Sequence, residues 1–251
     1  MRFKRLSTPG AIISLLLFSW IGYAIGAESV EYVEKKTLAL KEALGLPAPW
    51  YATAYQPKSA EKYGNDPALL CFGRERPRPE KSCFSEKKII REDFVLQYQF
   101  VDTLDVVSLA QGPHHEEGVM FVAISSYGGS GWSRRISIWT YSGEKESFIN
   151  ILPSLDISNQ GEYRLFPKMK NGLEGILVAA DAIVNLNQGE SHFSPHKYAI
   201  KIYQLGKSGT FKLAGEYVTK IKYPSLDDTS PIDVIGPELQ NIEEYLSGLH
   251  T

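Results

Sequence analysis

Cysteine is scarce in this sequence, and its scarcity limits how the chain can be cross-linked or anchored. The 251 residues include only two cysteines, Cys71 and Cys83. A lipoprotein anchor would need a cysteine at the end of the N-terminal apolar segment, so the position of the first cysteine excludes it. In an exported protein two cysteines are expected to pair, and the sequence therefore predicts one disulfide between them.

The chain also lacks a strong excess of charge and a second long apolar run. It has 27 Lys plus Arg and 29 Asp plus Glu, which gives a formal net charge of −2. This balance does not indicate binding to nucleic acid or to an anionic membrane surface. Beyond residue 27 no apolar stretch is long enough to cross a bilayer, so no membrane span is predicted in the mature chain.

Motifs of well-known catalytic and metal sites are missing. The glycine-rich segment around Ser130 lacks the second glycine of a nucleophile elbow, and the Gly-Lys-Ser/Thr of a phosphate-binding loop does not follow it. Asp156 begins a segment similar to a calcium loop, but Pro167 occupies the place where a bidentate Glu is required. We therefore predict no catalytic residues, no metal ligands and no cofactor.

The N-terminus does carry the pattern of a secretory signal peptide. Three basic residues precede an apolar run over 11–27 that ends in small residues. This order is typical of a cleavable signal, which we predict over 1–27, with Glu28 as the preferred first mature residue and Ala27 as the next choice. An uncleaved membrane anchor is the alternative, although the run is slightly short for a span.

Two segments separate the signal peptide from the part of the chain with strand periodicity. Residues 29–45 carry apolar side chains at helical spacing and end at Gly45, followed by Pro47, so an N-terminal helix is predicted there. Residues 46–93 contain many prolines and scattered aromatic residues. This composition favours an irregular, packed connection that the disulfide ties together.

From residue 94 onward the hydrophobic pattern has a period of two, which is typical of strands. Strands are predicted at 94–101, 104–110, 119–125, 135–141, 147–152, 162–166, 175–184, 197–203 and 210–217. The near-continuous apolar character of 119–125 predicts a central strand. The pattern after Gly118 recurs after Gly175, 57 residues later. We therefore expect two similar four-stranded units, about 94–152 and 162–217.

These features predict a mainly β fold. Two four-stranded units are too few for a propeller, so an antiparallel sandwich or a barrel-like meander is expected. Residues 237–249 predict a short C-terminal helix with Pro237 in its first turn. The predicted organisation is a signal peptide over 1–27, a helix with an irregular disulfide-tied segment over 28–93, and a β domain with the C-terminal helix over 94–251.

Two loops carry the candidate binding residues. The glycine-rich loop 126–134 offers Trp132 as an apolar platform, because its glycines allow close backbone approach. The loop 185–196 is the longest connection of the second unit, and its candidate residues are Glu190, His192, Phe193 and His196. The two histidines would share one side of a helix, but Pro195 breaks a helix here, so a metal site is not predicted.

A third candidate is the basic stretch between the two cysteines. Its basic residues are Arg74, Arg76 and Arg78. A cross-linked loop loses little conformational entropy on binding, and arginine can pair with carboxylates. A solvated loop without a partner is the alternative.

The sequence therefore predicts an exported, soluble, β-rich protein, located in the periplasm or outside the cell, that binds a protein or small-molecule ligand without catalysis. One alternative is an extracytoplasmic hydrolase that uses His192 or His196 as a base or metal ligand, with Asp181 or Glu190 as the carboxylate. Another alternative is a structural component of the cell envelope.

Overall fold

The computed structural model describes most of the chain beyond the N-terminus. The described residues are 30–62, 65–80, 82–90, 95–111, 116–126, 132–152, 155–158, 160–185, 189–191, 193–224 and 232–249. The predicted signal peptide, its cleavage site and the alternative anchor lie outside the described residues. His192 and most of the glycine-rich loop also lie outside them. Within these ranges no helix is both long and apolar enough to cross a membrane.

Strands dominate the described part of the chain. In chain order they are β1 (Tyr32–Ala39), β2 (Tyr51–Pro57), β3 (Leu69–Gly73), β4 (Ile89–Ile90), β5 (Val95–Leu96), β6 (Phe100–Ala110), β7 (Glu116–Ser126), β8 (Trp132–Ser142), β9 (Ser147–Asn150), β10 (Leu155–Ser158), β11 (Glu162–Lys168), β12 (Glu174–Ile183), β13 (Lys197–Leu205) and β14 (Phe211–Val218). A short 3-10 helix covers Lys58–Lys62, and helix α1 covers Ile235–Leu249. The predictions of a mainly β fold and of a short C-terminal helix are confirmed.

The larger sheets are antiparallel and follow one another along the chain. The N-terminal sheet has the order β1-β2-β3. The five-stranded sheet has the order β10-β8-β7-β6, and β9 pairs with the other half of β8. The four-stranded sheet has the order β11-β12-β13-β14, and a small ribbon joins β4 to β5.

The sheets and the helix stack as successive layers with an apolar core between each pair. The first core lies between the N-terminal and five-stranded sheets and includes Leu40, Trp50, Leu70, Phe121 and Trp139. The second core lies between the five- and four-stranded sheets and includes Leu109, Val122, Ile138, Leu177 and Phe211. The third core lies between the four-stranded sheet and α1 and includes Ile176, Val178, Ile200, Ile242 and Leu246.

Two inner strands are apolar on both faces because each contributes to two cores. In β7, Val119 belongs to the first core and Val122 to the second. In β12, Leu177 belongs to the second core, whereas Val178 belongs to the third. Period-two burial therefore explains why both strands have near-continuous apolar sequences. The prediction that 119–125 is a central strand is confirmed, because β7 lies between β8 and β6.

The predicted N-terminal helix over 29–45 is wrong, because Tyr32–Ala39 forms an edge strand paired with β2. A bulge between Glu34 and Lys36 interrupts the alternation of side chains, so the sequence shows no clean period of two. The apolar residues of the apparent helical stripe are not buried together, since Val33 is 43% exposed. Pairing with β2 therefore outweighs the local helical pattern.

The segment 46–93, predicted to be irregular, contains strands β2 and β3. Short side chains on β2 allow the N-terminal sheet to pack closely, since Ala52 and Ala54 are fully buried. Cys71 on β3 is bonded to Cys83, as predicted. The prolines of this segment lie mainly in the connections, which explains why composition alone suggested no strands.

The two predicted units do not have the same number of strands. The second unit is a four-stranded meander, close to the predicted boundaries. In the first unit, the predicted strand 104–110 is confirmed as part of the bulged strand β6, but only residues 100–101 of the predicted strand 94–101 belong to β6, and residues 95–96 form β5 in the separate ribbon. Its last strand is split, because β9 ends at Asn150 and the chain returns along β8 as β10. Two similar four-stranded units are therefore not confirmed.

Candidate functional site

The two predicted binding loops leave the stacked sheets at the same end. Ser158 on β10 pairs with Ser133 at the start of β8. The backbone N–H and the hydroxyl of Ser158 also donate to Asp181 Oδ1, at 3.0 and 2.6 Å, near the end of β12. The start of β8 and the end of β12 are therefore neighbours. We call this end of the five- and four-stranded sheets the loop-bearing end.

Glu190 is held in place within the loop 185–196. Its carboxylate accepts a hydrogen bond from Lys222 Nζ at 2.5 Å and another from the backbone N–H of Asn185 at 2.9 Å. These two hydrogen bonds, the first above all, hold the pKa of Glu190 below its ordinary value. The residue therefore stays ionised at neutral pH and ties the loop to the segment after β14.

His196 is close to Glu190 but is not accessible. Its Nδ1 lies 3.7 Å from Glu190 Oε2, and its side chain is fully buried. Neither ring nitrogen has a hydrogen-bond partner among the described residues. The backbone of His196 pairs in both directions with Tyr223, at 2.9 and 2.7 Å. In this conformation His196 supports the loop and does not meet a ligand in solution.

Among the described residues, the side chains that the hydrolase hypothesis requires do not form an assembled active site. Asp181 already accepts two hydrogen bonds from Ser158, and His196 is enclosed. Groups of three or more His, Cys, Asp or Glu side chains suited to a metal are absent from the described part of the chain, which does not include His192. The hydrolase hypothesis stays a prediction.

Phe193 is the most exposed large apolar side chain in the described residues, at 79%. A tight turn holds it at the surface, because Ser194 N–H donates to the Ser191 carbonyl and Ser191 N–H donates to Ser194 Oγ, both at 3.0 Å. Phe193 N–H is itself 3.3 Å from Ser191 Oγ. The exposed ring therefore lies between two serines that are hydrogen-bonded to each other.

Three further apolar side chains are exposed at this end of the four-stranded sheet. Ile183 ends β12, Val218 ends β14, and Ile221 follows three residues later, with exposures of 41%, 51% and 60%. Ile183 pairs with Lys197, and Val218 pairs with Ala199, so both lie at the same end of β13. We call these four residues the apolar patch: Ile183, Phe193, Val218 and Ile221.

Trp132 is not a free platform. It is the first residue of β8 and is half-buried. The guanidinium of Arg134 lies over its ring, 4.4 Å from the centroid. Arg134 also approaches Asp102, with 3.7 Å between Nε and Oδ2. One face of the indole is therefore already covered by a cation–π contact.

The basic loop closed by the disulfide is also largely occupied by internal contacts. Arg74 lies 4.6 Å from the Trp50 ring centroid and 3.4 Å from Glu146 Oε2. Arg76 forms an ion pair with Glu34 on β1. Two of the three predicted arginines are therefore already paired with carboxylates of this chain.

The structure contains a buried ionic cluster that the sequence did not predict. Arg135 on β8 makes a bidentate pair with Asp156, at 2.7 and 2.5 Å, and lies 3.5 Å from Glu86 Oε2. Tyr98 donates its hydroxyl to Asp156 at 2.6 Å and places its ring 4.5 Å from the guanidinium. Burial raises the pKa of Glu86 to about 7, although the charge of Arg135 acts in the opposite direction.

Comparisons with protein-family models, with curated proteins and with solved structures found no match to this chain. The functional argument therefore depends on the geometry of the chain itself.

Proposed function

We propose that the protein is an exported, non-catalytic binding protein that contacts a protein partner through the apolar patch. Eight large apolar side chains are exposed in the described residues, and half of them belong to this patch. Isolated exposed apolar residues are normal on protein surfaces, whereas groups of them mark interaction sites. The 79% exposure of the Phe193 ring is the observation that supports the proposal most.

The surroundings of the apolar patch resemble the rim of an interface. Glu190 and Lys222 form an ion pair beside it, and Lys197 and Lys220 are exposed nearby. Protein interfaces commonly have an apolar centre and a polar rim. Burying a phenylalanine side chain such as that of Phe193 contributes about 1.5–3 kcal/mol.

The proposed scaffold is a sandwich of the five- and four-stranded sheets that presents connections from one end. Rigid sheets commonly position binding loops in this way. Hydrogen bonds from Ser158 to Asp181 join the two sheets at the loop-bearing end. This rigidity favours binding over a function that needs large movements.

Export is supported by the disulfide between Cys71 and Cys83, because such bonds persist in oxidising compartments. Expression in a bacterial host should place the protein in the periplasm or medium, and N-terminal sequencing should begin at Glu28. A protein that stays in the cytoplasm with free thiols would contradict export. A membrane-bound protein with its first 27 residues intact would favour the anchor.

The binding site can be tested by partner capture with matched variants. Proteins retained from an extracytoplasmic extract by the immobilised protein should be lost when Phe193→Ser and Ile221→Ser are combined. Leu213→Ser is the control, because Leu213 is also exposed, at 52%, and lies near the other end of β14. Retention of the same proteins by the double variant, or their loss from the control, would contradict the apolar patch as the site.

A further inference from the structure

We propose that a second site, the cleft between β14 and α1, binds a small organic cation that carries an alkylammonium group. The cleft has a volume of about 330 Å³ and is lined by Tyr217, Lys220, Glu238, Asn241, Glu244 and Tyr245, together with Val218. This volume is at the lower end of the range for small-molecule sites. The proposal goes beyond the protein-binding function and does not depend on the partner of the apolar patch.

The wall of the cleft contains a buried carboxylate with neutral hydrogen-bond donors. Glu238 is 3% exposed and accepts hydrogen bonds from the hydroxyls of Tyr217 and Tyr223, at 2.9 and 2.6 Å. The side-chain amide of Asn241 donates a third hydrogen bond, at 2.9 Å. In the described part of the chain no lysine, arginine or histidine forms an ion pair with Glu238.

These contacts keep the charge on Glu238. Burial alone would raise the pKa of its carboxyl, but the three hydrogen bonds, together with a smaller effect of the nearby Lys220 charge, hold it below the ordinary value. Burial also raises the pKa of Tyr217 and Tyr223, so both hydroxyls remain protonated donors at neutral pH. Glu238 lies in the first turn of α1, where the helix dipole favours negative charge. The cleft therefore contains a stable anion whose three hydrogen-bond donors are neutral, and among the described contacts the nearby Lys220 does not form an ion pair with it.

Two aromatic rings form the other walls. The rings of Tyr217 and Tyr245 are 5.6 Å apart between centroids and tilted by 31°. Tyr245 lies directly against the backbone at Gly215, where an added Cβ would be only 2.2 Å from its Cε1. The ring is therefore fixed by close packing and is available for a cation–π contact on the cleft side.

The combination favours a cation with an apolar surface. Glu238 and Glu244 provide two negative charges, against one positive charge from Lys220. An anion would meet the buried carboxylate, and a neutral apolar molecule would gain no electrostatic attraction. Aromatic faces next to carboxylates are the usual surroundings of bound ammonium groups.

Titration calorimetry of the purified protein with choline chloride tests this proposal. Choline should bind, and its uncharged isostere 3,3-dimethylbutan-1-ol should bind at least about fivefold more weakly, because it lacks the charge. Raising the salt concentration should weaken choline binding. No binding of choline, or equal binding of the neutral isostere, would overturn the proposal.

Variants locate the site within the cleft. Tyr245→Leu should weaken choline binding at least about fivefold, whereas Tyr245→Phe keeps the ring and should stay within about twofold. Glu244→Gln removes a charge at the rim without altering the buried network and should weaken binding about threefold. Glu144→Gln, in the exposed turn between β8 and β9, is the matched control. Unchanged binding in both Tyr245→Leu and Glu244→Gln would show that choline binds elsewhere and overturn the assignment.

The two proposed sites share Val218 and Lys220, which the variants of both experiments leave unchanged. Loss of partner capture in the Phe193→Ser and Ile221→Ser double variant should leave choline binding intact. Failure of one proposal is therefore distinguishable from failure of the other.

Discussion

At the scale of single residues, Glu86 makes the stability of the protein depend on pH. The carboxyl is 8% exposed, and the guanidinium beside it is already shared with Asp156. Burial raises the pKa of Glu86 to about 7, and the charge of Asp156 adds to the rise. One guanidinium therefore stabilises two carboxylates incompletely, and Glu86 is the one that keeps its proton.

We predict that the free energy of unfolding falls as the pH rises from about 4.5 to about 7. In this window the unfolded chain releases the Glu86 proton while the folded chain retains it, so the folded state loses relative stability. The change is on the order of 3 kcal/mol, because one pKa unit corresponds to about 1.4 kcal/mol. Urea unfolding of the wild type and of Glu86→Gln at several pH values measures it.

The difference between Glu86→Gln and the wild type should grow in favour of the variant across this window. Glu144→Gln should keep the wild-type slope, because Glu144 is exposed. A difference that does not change with pH would show that Glu86 ionises normally in the folded protein.

The sequence could not reveal this cluster, although it could reveal parts of the loop-bearing end. Arg135 and Asp156 are cross-strand partners on β8 and β10, although they are 21 residues apart in the sequence. Glu86 is 49 residues from Arg135 and reaches it only through tertiary packing of the segment before β4. The alternation of side chains in β8 predicts that Arg135 lies on the face opposite Ile136 and Ile138. It does not predict that this face is covered by another part of the chain. Glu190 and His196 share one loop, so their proximity was open to inference, whereas the burial of His196 was not.

At the scale of elements, the link from β10 to β11 shows how closely the two larger sheets approach. Gly161 sits in this link and is buried. An added Cβ would lie 2.9 Å from Ile157 Cβ and 3.0 Å from the carbonyl oxygen of Ala180 on β12. Only glycine lets the chain cross from one sheet to the other at this separation.

We predict that Gly161→Ala destabilises the protein by about 1–3 kcal/mol, because the new methyl group contacts backbone that cannot move without separating the strands. Chemical denaturation measures the loss. Gly143→Ala is the control, since an added Cβ there meets no atom within 4 Å, and it should change stability by less than about 0.5 kcal/mol. Equal effects of the two substitutions would mean that the sheets can separate at Gly161 without cost.

Predictability also differs between elements for a physical reason. The strands β7, β12 and β13 and the helix α1 bury regular faces, so their sequences carry the period of the element. β1 has a bulge and an exposed edge, so its pattern reflects neither period, and its strand conformation depends on pairing with β2. The strands β2 and β3 were also not predicted, because the prolines beside them indicate an irregular segment.

At the scale of the whole molecule, neighbouring cores are joined because they share a sheet. The five-stranded sheet borders the first and second cores, and the four-stranded sheet borders the second and third. Among the described residues, both faces of these two sheets contribute to an apolar core, so removal of any layer exposes an apolar sheet face. We therefore expect the described layers to unfold as one cooperative unit.

A substitution at one end of the stack should consequently be detected at the other. Leu246→Ala removes a fully buried side chain between α1 and the four-stranded sheet and should cost about 2–5 kcal/mol. Trp50 and Trp139 belong to the first core, two sheets away, and report its unfolding by fluorescence. The fluorescence transition should shift by the same amount as the transition followed by circular dichroism.

Ser247→Ala, on the exposed side of α1, should move neither transition appreciably. If Leu246→Ala shifted the circular dichroism transition while the fluorescence transition stayed in place, the layers would unfold independently, and the stacked cores would not form a single cooperative unit.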